Sequence, residues 1–163
     1  MSVKTPTIRQ TAWISIIPQL GVMGLIIFIW WQVNPDKAVI NGAITYLIIS
    51  FSLRRIVARD HRKGMQLVKA QNFETAIPFF EKAYDFFKRN DWIDKYRYLT
   101  LLSSSRISYK EMALNNIAFC FGQLGNGQKA KEYYERTLNE FPDSGLATAG
   151  LNMLNSMNKK ETE

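Results

Sequence analysis

Ser52-Leu53-Arg54-Arg55-Ile56-Val57-Ala58-Arg59-Asp60-His61-Arg62-Lys63-Gly64 joins two unlike halves of a 163-residue chain. Before it the sequence is apolar over lengths that suit a lipid bilayer, and after it apolar and aromatic residues recur at helical spacing. The join itself is basic: residues 54–69 hold six Lys/Arg and one Asp. Residues 1–37 hold three basic residues and one acidic, and residues 70–163 hold twelve of each. The formal charge of +7 and the pI near 9.6 therefore belong to the flanks of the apolar runs. A nucleic-acid-binding surface needs its cations on the domain that docks, and a neutral C-terminal part argues against one. Arg54, Arg55, Arg59, Arg62 and Lys63 read instead as a membrane-flanking cluster.

Working outward toward the N-terminus, two apolar runs precede the join. Residues 12–31 carry no charge and make a helix of about 30 Å. Trp13 stands near one end and Trp30 and Trp31 at the other, as interfacial aromatics do. Pro18 is expected to kink or loosen the start of this span. Gln19 either finds a polar partner on the neighbouring span, with Asn41, Thr45 and Ser50 as candidates, or lies near enough to the interface to stay wet. The second run, 38–53, is somewhat short at about 24 Å; snorkelling of Arg54 and Arg55 lets it extend to about residue 56. The link at 32–37 is brief, and Asn34-Pro35 reads as a cap followed by proline in the first turn, so the spans form an antiparallel hairpin. The run is too long for the apolar core of a signal peptide, and no small-x-small cleavage site follows it. Lys4 and Arg9 before the first span, and the basic cluster after the second, place both termini in the cytoplasm, with a bacterial inner membrane as the default setting. The single cysteine, Cys120, forbids an internal disulfide and agrees with a reducing compartment.

Beyond the join, Leu114, Asn116, Ile117, Ala118, Phe121, Gly125, Ala130, Tyr134 and Pro142 fall on one template of two paired helices. Ala118 and Ala130 take positions where helices cross closely, Tyr134 a large aromatic slot, and Pro142 the stop. Leu124-Gly125-Asn126-Gly127 supplies a turn tolerant of positive φ. This stretch resembles a tetratricopeptide repeat, a 34-residue helical hairpin. An earlier copy is carried by Gly64, Leu67, Phe73, Ala76, Phe80 and Ala83. Ala76 and Ala130 lie 54 residues apart, so the copies are separated by an insertion at about 91–107. Ser108-Tyr109-Lys110-Glu111 is a capping box at the start of the second copy. Asp143 or Ser144 is placed to cap a last helix bearing Leu146, Ala147, Gly150, Leu151 and Leu154, which would close the stack. Residues 158–163 read as a frayed tail.

The expected fold class is all-α: a two-span anchor at 1–56, then a short tetratricopeptide-like solenoid with a C-terminal capping helix at 57–157. No Pro or Gly interrupts 43–63, so the second span and the first repeat helix are expected to form one rod over about 38–70. In the insertion, Trp92, Tyr96 and Leu99 share helical spacing; they either pack against an extension of the preceding helix to about 97 or meet the membrane surface or a partner. Two copies fall short of the three that solenoids ordinarily need, so the hairpin, the insertion or assembly into a homo-oligomer must make up the difference.

Nothing in the sequence gathers a catalytic or metal-ligating set. His61 is the only histidine and Cys120 is remote from it; no cofactor is expected, nor an enzyme. The repeat resemblance implies a partner-binding groove lined by the first helix of each copy, on His61, Met65, Lys69, Met112, Asn115, Phe119 and Gln123, suited to a peptide or helix of another protein. The expected role is a membrane-anchored interaction scaffold or adaptor. The alternatives are an accessory or assembly subunit of a membrane complex that uses the hairpin as its main contact, and, less favoured, a membrane-bound enzyme with an unrecognised site.

Overall fold

A computed structural model describes the backbone of residues 15–161 and the side chains of residues 15–156. Lys4, Arg9 and Trp13, on which orientation and one aromatic belt rest, lie outside the described residues. The described chain is helical with no strand, and it divides into two compact units: residues 15–59 with 90–106, and residues 60–89 with 107–161.

In the first unit, α1 (Ile16–Val33) and α2 (Ala38–Val57) are the two apolar runs. Pro18 stands in the first turn of α1, where a missing N–H leaves no helical bond broken, so no kink is needed there. Asn34 ends α1 in an extended conformation, and its Oδ1 accepts from the Lys37 N–H at 3.3 Å across the 3₁₀ turn Pro35–Lys37. The helices then run antiparallel and close. A Cβ on Gly42 would lie 2.6 Å from Ile27 Cγ1, so only glycine admits this approach. Trp30 Nε1 donates to Thr45 Oγ1 at 3.0 Å. Thr45 is therefore taken, Ser50 accepts from Arg54, and buried Gln19 Nε2 has no hydrogen-bond partner among the described residues; the expected interhelical bond from Gln19 is not made.

The same unit includes α5 (Asp91–Lys95) and α6 (Arg97–Thr100), and α6 packs against α1. Leu101 and Leu102 are buried, with Leu102 at φ 47°. Arg54 reaches them from the end of α2, donating through Nε to the Leu101 carbonyl at 3.2 Å and through Nη2 to the Leu102 carbonyl and to Ser50 Oγ. Arg97 fixes the exit of the segment by donating to the carbonyls of Asp94 at 2.8 Å, Ser105 at 2.9 Å and Arg106. The segment expected as an insertion in the repeat domain thus clusters with the hairpin.

Helix α2 stops at Val57. Ala58 adopts φ −94° and ψ 30°, and α3 begins at Arg59. The continuous rod over 38–70 is not formed. Neither Pro nor Gly stands at the break and alanine is the best helix former, so local propensity does not account for the interruption; Ala58 itself is buried.

The second unit stacks α3 (Arg59–Lys69), α4 (Phe73–Arg89), α7 (Tyr109–Gln123), α8 (Gly127–Glu140) and α9 (Gly145–Glu161) in succession. Contacts equidistant from each turn show antiparallel pairing: Gly64 against Phe80, Phe121 stacked on Tyr133, Gly150 against Tyr134. Its core is Ala76, Ile77, Phe80, Tyr84, Ala113, Leu114, Ile117 and Cys120. Helix α4 ends at Arg89 without the expected extension to 97. Helix α9 is continuous to Glu161, so the tail expected to fray from 158 is helical that far.

Two turns in this unit match bond for bond at a spacing of 54 residues. Between α3 and α4, the N–H groups of Ala70, Gln71 and Asn72 bond the carbonyls of Gln66, Val68 and Leu67. Between α7 and α8, those of Leu124, Gly125 and Asn126 bond Cys120, Gly122 and Phe121. Gln71 at φ 58° and Gly125 at φ 75° occupy the same left-handed position, the usual way to satisfy the last carbonyls of a helix. Gly64 and Ala118, and Ala76 and Ala130, follow the same spacing and are all buried. The α3–α4 and α7–α8 hairpins therefore share one turn geometry at the 54-residue spacing of the sequence pattern.

Candidate binding surface of the helical stack

Helices α3 and α7 are the first members of the two copies and carry the seven residues expected to line a groove. They divide by depth. His61 and Asn115 are buried, Met65 and Met112 half-buried, and Lys69, Phe119 and Gln123 exposed. A step of four residues rotates about 40° around a helix. A row at that spacing therefore spirals from the core at His61, through Met65, to solvent at Lys69, and likewise from Asn115 through Phe119 to Gln123.

His61 lies edge-on to the rings of Phe80 and Tyr109, each with centroids 5.5 Å away, and its Nδ1 has no partner among the described residues. Burial pushes its pKa down to about 4, so it is a neutral packing residue. Asn115 is also structural, with Nδ2 donating to the Glu111 carbonyl at 2.9 Å and lying 3.5 Å from Ser144 Oγ. Half-buried Met65 accepts at Sδ from Asn116 Nδ2 at 3.5 Å, tying α3 to α7. Phe119 packs edge-on against Phe73 and keeps 40% of its surface in solvent. The surface available to a ligand is thus Lys69, Phe119 and Gln123, with the flank of Phe73.

The positions expected to be architectural differ in burial. Ala76, Phe80, Leu114, Ala118 and Ala130 are fully buried and Ala83 nearly so. Leu67, Phe121 and Tyr134 are half-buried, Gly64 lies under Phe80, Gly125 takes positive φ, and Pro142 follows α8 in an exposed turn. Ser108 Oγ accepts from the Glu111 N–H at 3.1 Å, the serine half of the expected capping box, and Ser144, not Asp143, caps α9 by accepting from the Ala147 N–H.

On the opposite side, α4 and α8 form a small cleft of about 200 Å³ lined by Glu81, Tyr84, Asp85, Leu114, Ile117, Tyr133 and Arg136, which the sequence reading did not anticipate. Tyr84 Oη donates to the Glu140 carboxylate at 2.7 Å. Arg136 sits over the Tyr84 ring at 4.6 Å and donates to Glu140 at 3.3 Å. Burial and then the nearby Glu81 carboxylate push the Tyr133 phenol up. The cleft is a knot of mutually satisfied groups that ties the two copies together. Cys120 is fully buried and its thiol is pushed up to about 11 by burial, far from the thiolate state a nucleophile needs. Among the described residues no group of three or more His, Cys, Asp or Glu is placed to hold a metal ion.

Protein-family models, curated proteins and solved structures offer no match to this chain.

Proposed function

We propose that this chain is a membrane-anchored interaction protein: a two-span hairpin carrying a short tetratricopeptide-like stack, with α9 as its closing helix, that presents a protein-binding face at the cytoplasmic side of a membrane. The observation that carries the binding role is the exposed row Lys69, Phe119 and Gln123 on the first helices of a duplicated hairpin. A large aromatic ring held in place by Phe73 and flanked by polar groups suits the apolar side of a peptide or helix.

The anchor is supported by exposure. A core helix of a soluble protein hides its apolar side chains, whereas the most apolar window of α1 is 0% buried and that of α2 is 11% buried. Ile17, Leu25, Phe28, Val39, Leu47 and Phe51 are among the apolar side chains left facing outward, and a bilayer is the ordinary way to cover so many. The basic cluster after α2 supports a cytoplasmic position for the stack, with the bacterial inner membrane as the working setting. The repeat reading draws on the duplicated turn and the small residues at the helix crossings. Its departure from the family pattern is the 54-residue spacing, which the excursion at 90–106 absorbs.

The test is affinity capture from a detergent extract with wild type and Phe119→Asp, each with and without residues 1–53. The proposal expects partners lost with Phe119→Asp and kept on deletion of the hairpin. The reverse pattern would favour the second reading, an accessory subunit that assembles through its hairpin. That reading has one observation in its favour: α6 and the Leu101–Leu102 turn are fastened to the hairpin and enlarge the surface it offers a neighbour.

A further inference from the structure

The hairpin unit ends in a patch that the binding role leaves unused. Trp92, Tyr96 and Leu99, on α5 and α6, are 61%, 43% and 44% exposed. They follow one another at helical spacing, and the Tyr96 N–H bonds the Trp92 carbonyl while the Leu99 N–H bonds that of Tyr96. They do not pack on an extension of α4, since α4 stops at Arg89. The buried side chains of the segment are Asp94, Leu101, Leu102 and Ser103, which leaves the aromatic row exposed.

Its level along the hairpin is fixed. Gly42 meets Ile27 and Trp30 meets Thr45, so in antiparallel register Arg54 is level with the first turns of α1. Arg54 holds the Leu101 and Leu102 carbonyls there, and α6 rests on α1. The row therefore lies at the end of the hairpin away from Pro35, where the apolar side chains of α2 give way to Arg54 and Arg55. That end carries Arg54, Arg55, Arg59, Lys95, Arg97 and Arg106 against Asp91 and Asp94.

We propose that α5 and α6 form an interfacial element that seats Trp92, Tyr96 and Leu99 in the headgroup region of an anionic bilayer, beside the anchor. The inference rests on the membrane reading of α1 and α2. Three observations select a bilayer over a protein as occupant. The row belongs to the same compact unit as the exposed apolar hairpin, with α6 packed on α1, the local charge favours anionic headgroups, and Trp and Tyr have an apolar body and a polar edge that suit this depth. Lys95 Nζ lies 5.7 Å from the centre of the Tyr96 ring, a pairing of cation and aromatic that also suits a headgroup layer.

The experiment uses the full chain in vesicles of phosphatidylcholine and phosphatidylglycerol bearing quenchers at a shallow or a deep acyl position. Replacing Trp13, Trp30 and Trp31 by Phe leaves Trp92 as the only reporter. A second protein, with all four tryptophans replaced and Leu25→Trp added, reports on mid-span depth. The expected result is Trp92 fluorescence quenched about twofold or more strongly by the shallow label than by the deep one, with the opposite preference for Leu25→Trp. Quenching of Leu25→Trp with none at Trp92 would overturn the inference while leaving the anchor intact, and would give the row to a protein partner. Preferential deep quenching of Trp92 would overturn the surface placement. No quenching of either reporter would overturn the anchor and this inference together. Should the multiple replacement fail to fold, Trp92→Cys carrying an environment-sensitive dye reads the same depth, because buried Cys120 is shielded from labelling.

Discussion

Arg54 Nε donates to the carbonyl oxygen of Leu101 at 3.2 Å across 47 residues of chain. The same guanidinium bonds the Leu102 carbonyl and Ser50 Oγ, so one side chain serves three acceptors on two segments. A planar fork of donors can do this where an ammonium cannot. Arg54→Ala leaves two carbonyls of buried residues without a charged donor, a loss of about 1–3 kcal/mol. Arg54→Lys recovers little of it. Hydrogen exchange is the measurement: the Leu101 and Ser103 amides, both bonded to the Arg97 carbonyl, should lose about tenfold or more of their protection in Arg54→Ala. Unchanged protection would show that the turn is held by Leu101 and Leu102 burial alone.

At the crossing of α3 and α4, a Cβ on Gly64 would lie 2.7–2.9 Å from the Phe80 ring, which is itself fully buried. The ring cannot swing aside in a packed core, so Gly64→Ala should cost about 1–3 kcal/mol by overpacking. In the Phe80→Leu background the same substitution should cost much less. A double-mutant cycle on denaturation midpoints checks this; additive effects would mean that the Gly64–Phe80 contact is not the reason for glycine. Gly150 stands at least as close to the Tyr134 ring, but that ring is half-buried and can shift, so Gly150→Ala should cost less.

How much of this was legible in advance depends on how local the cause is. The hairpin, the Asn34 cap, the capping box at Ser108 and the small residues at the crossings could be read because each follows from the type of one or two residues. The break at Ala58 could not, because alanine favours helix and nothing in the local sequence marks a stop. Arg54 was read as a membrane-flanking charge, which its position predicts, while its two carbonyl acceptors lie 47 and 48 residues away. Of the seven residues expected to line a groove only some are open to solvent: a row at four-residue spacing spirals into the core, so His61 and Asn115 are packing residues. The α4–α8 cleft left a faint signal, since Tyr84 and Glu140, and Glu81 and Tyr133, are separated by nearly the 54-residue repeat interval.

The paired turns give a third prediction. Gln71 holds φ 58° where its counterpart is Gly125 at φ 75°. A side chain in the left-handed region costs about 1–2 kcal/mol relative to glycine. Gln71 is exposed, and no atom lies within 4 Å of where a Gly125 Cβ would be, so the effect is confined to the backbone. Gln71→Gly should raise the urea midpoint and Gly125→Ala lower it, each by about 1 kcal/mol, less whatever Gln71→Gly gives back in unfolded-chain entropy. Same-sign shifts for the two would mean that the turns are not equivalent.

The last prediction concerns acid stability and follows from His61. Its folded pKa is pushed down to about 4 by burial between Phe80 and Tyr109, against 6.5 for a free imidazole. Above 6.5 the residue is neutral folded or unfolded and contributes no pH dependence. Between 6.5 and about 4 the unfolded chain binds a proton at His61 that the folded chain refuses. Stability therefore falls as pH drops through that window, by about 1.4 kcal/mol per unit and about 3 kcal/mol in all, and levels below 4. Carboxylates add slopes of their own, so the measurement is the difference between wild type and His61→Leu in urea midpoints taken from pH 7.5 to 4. That difference should be constant above 6.5 and should shift in favour of the variant as pH falls. A flat difference down to pH 4 would mean that His61 takes up its proton in the folded state, and that the pocket between the two rings opens to water at no great cost.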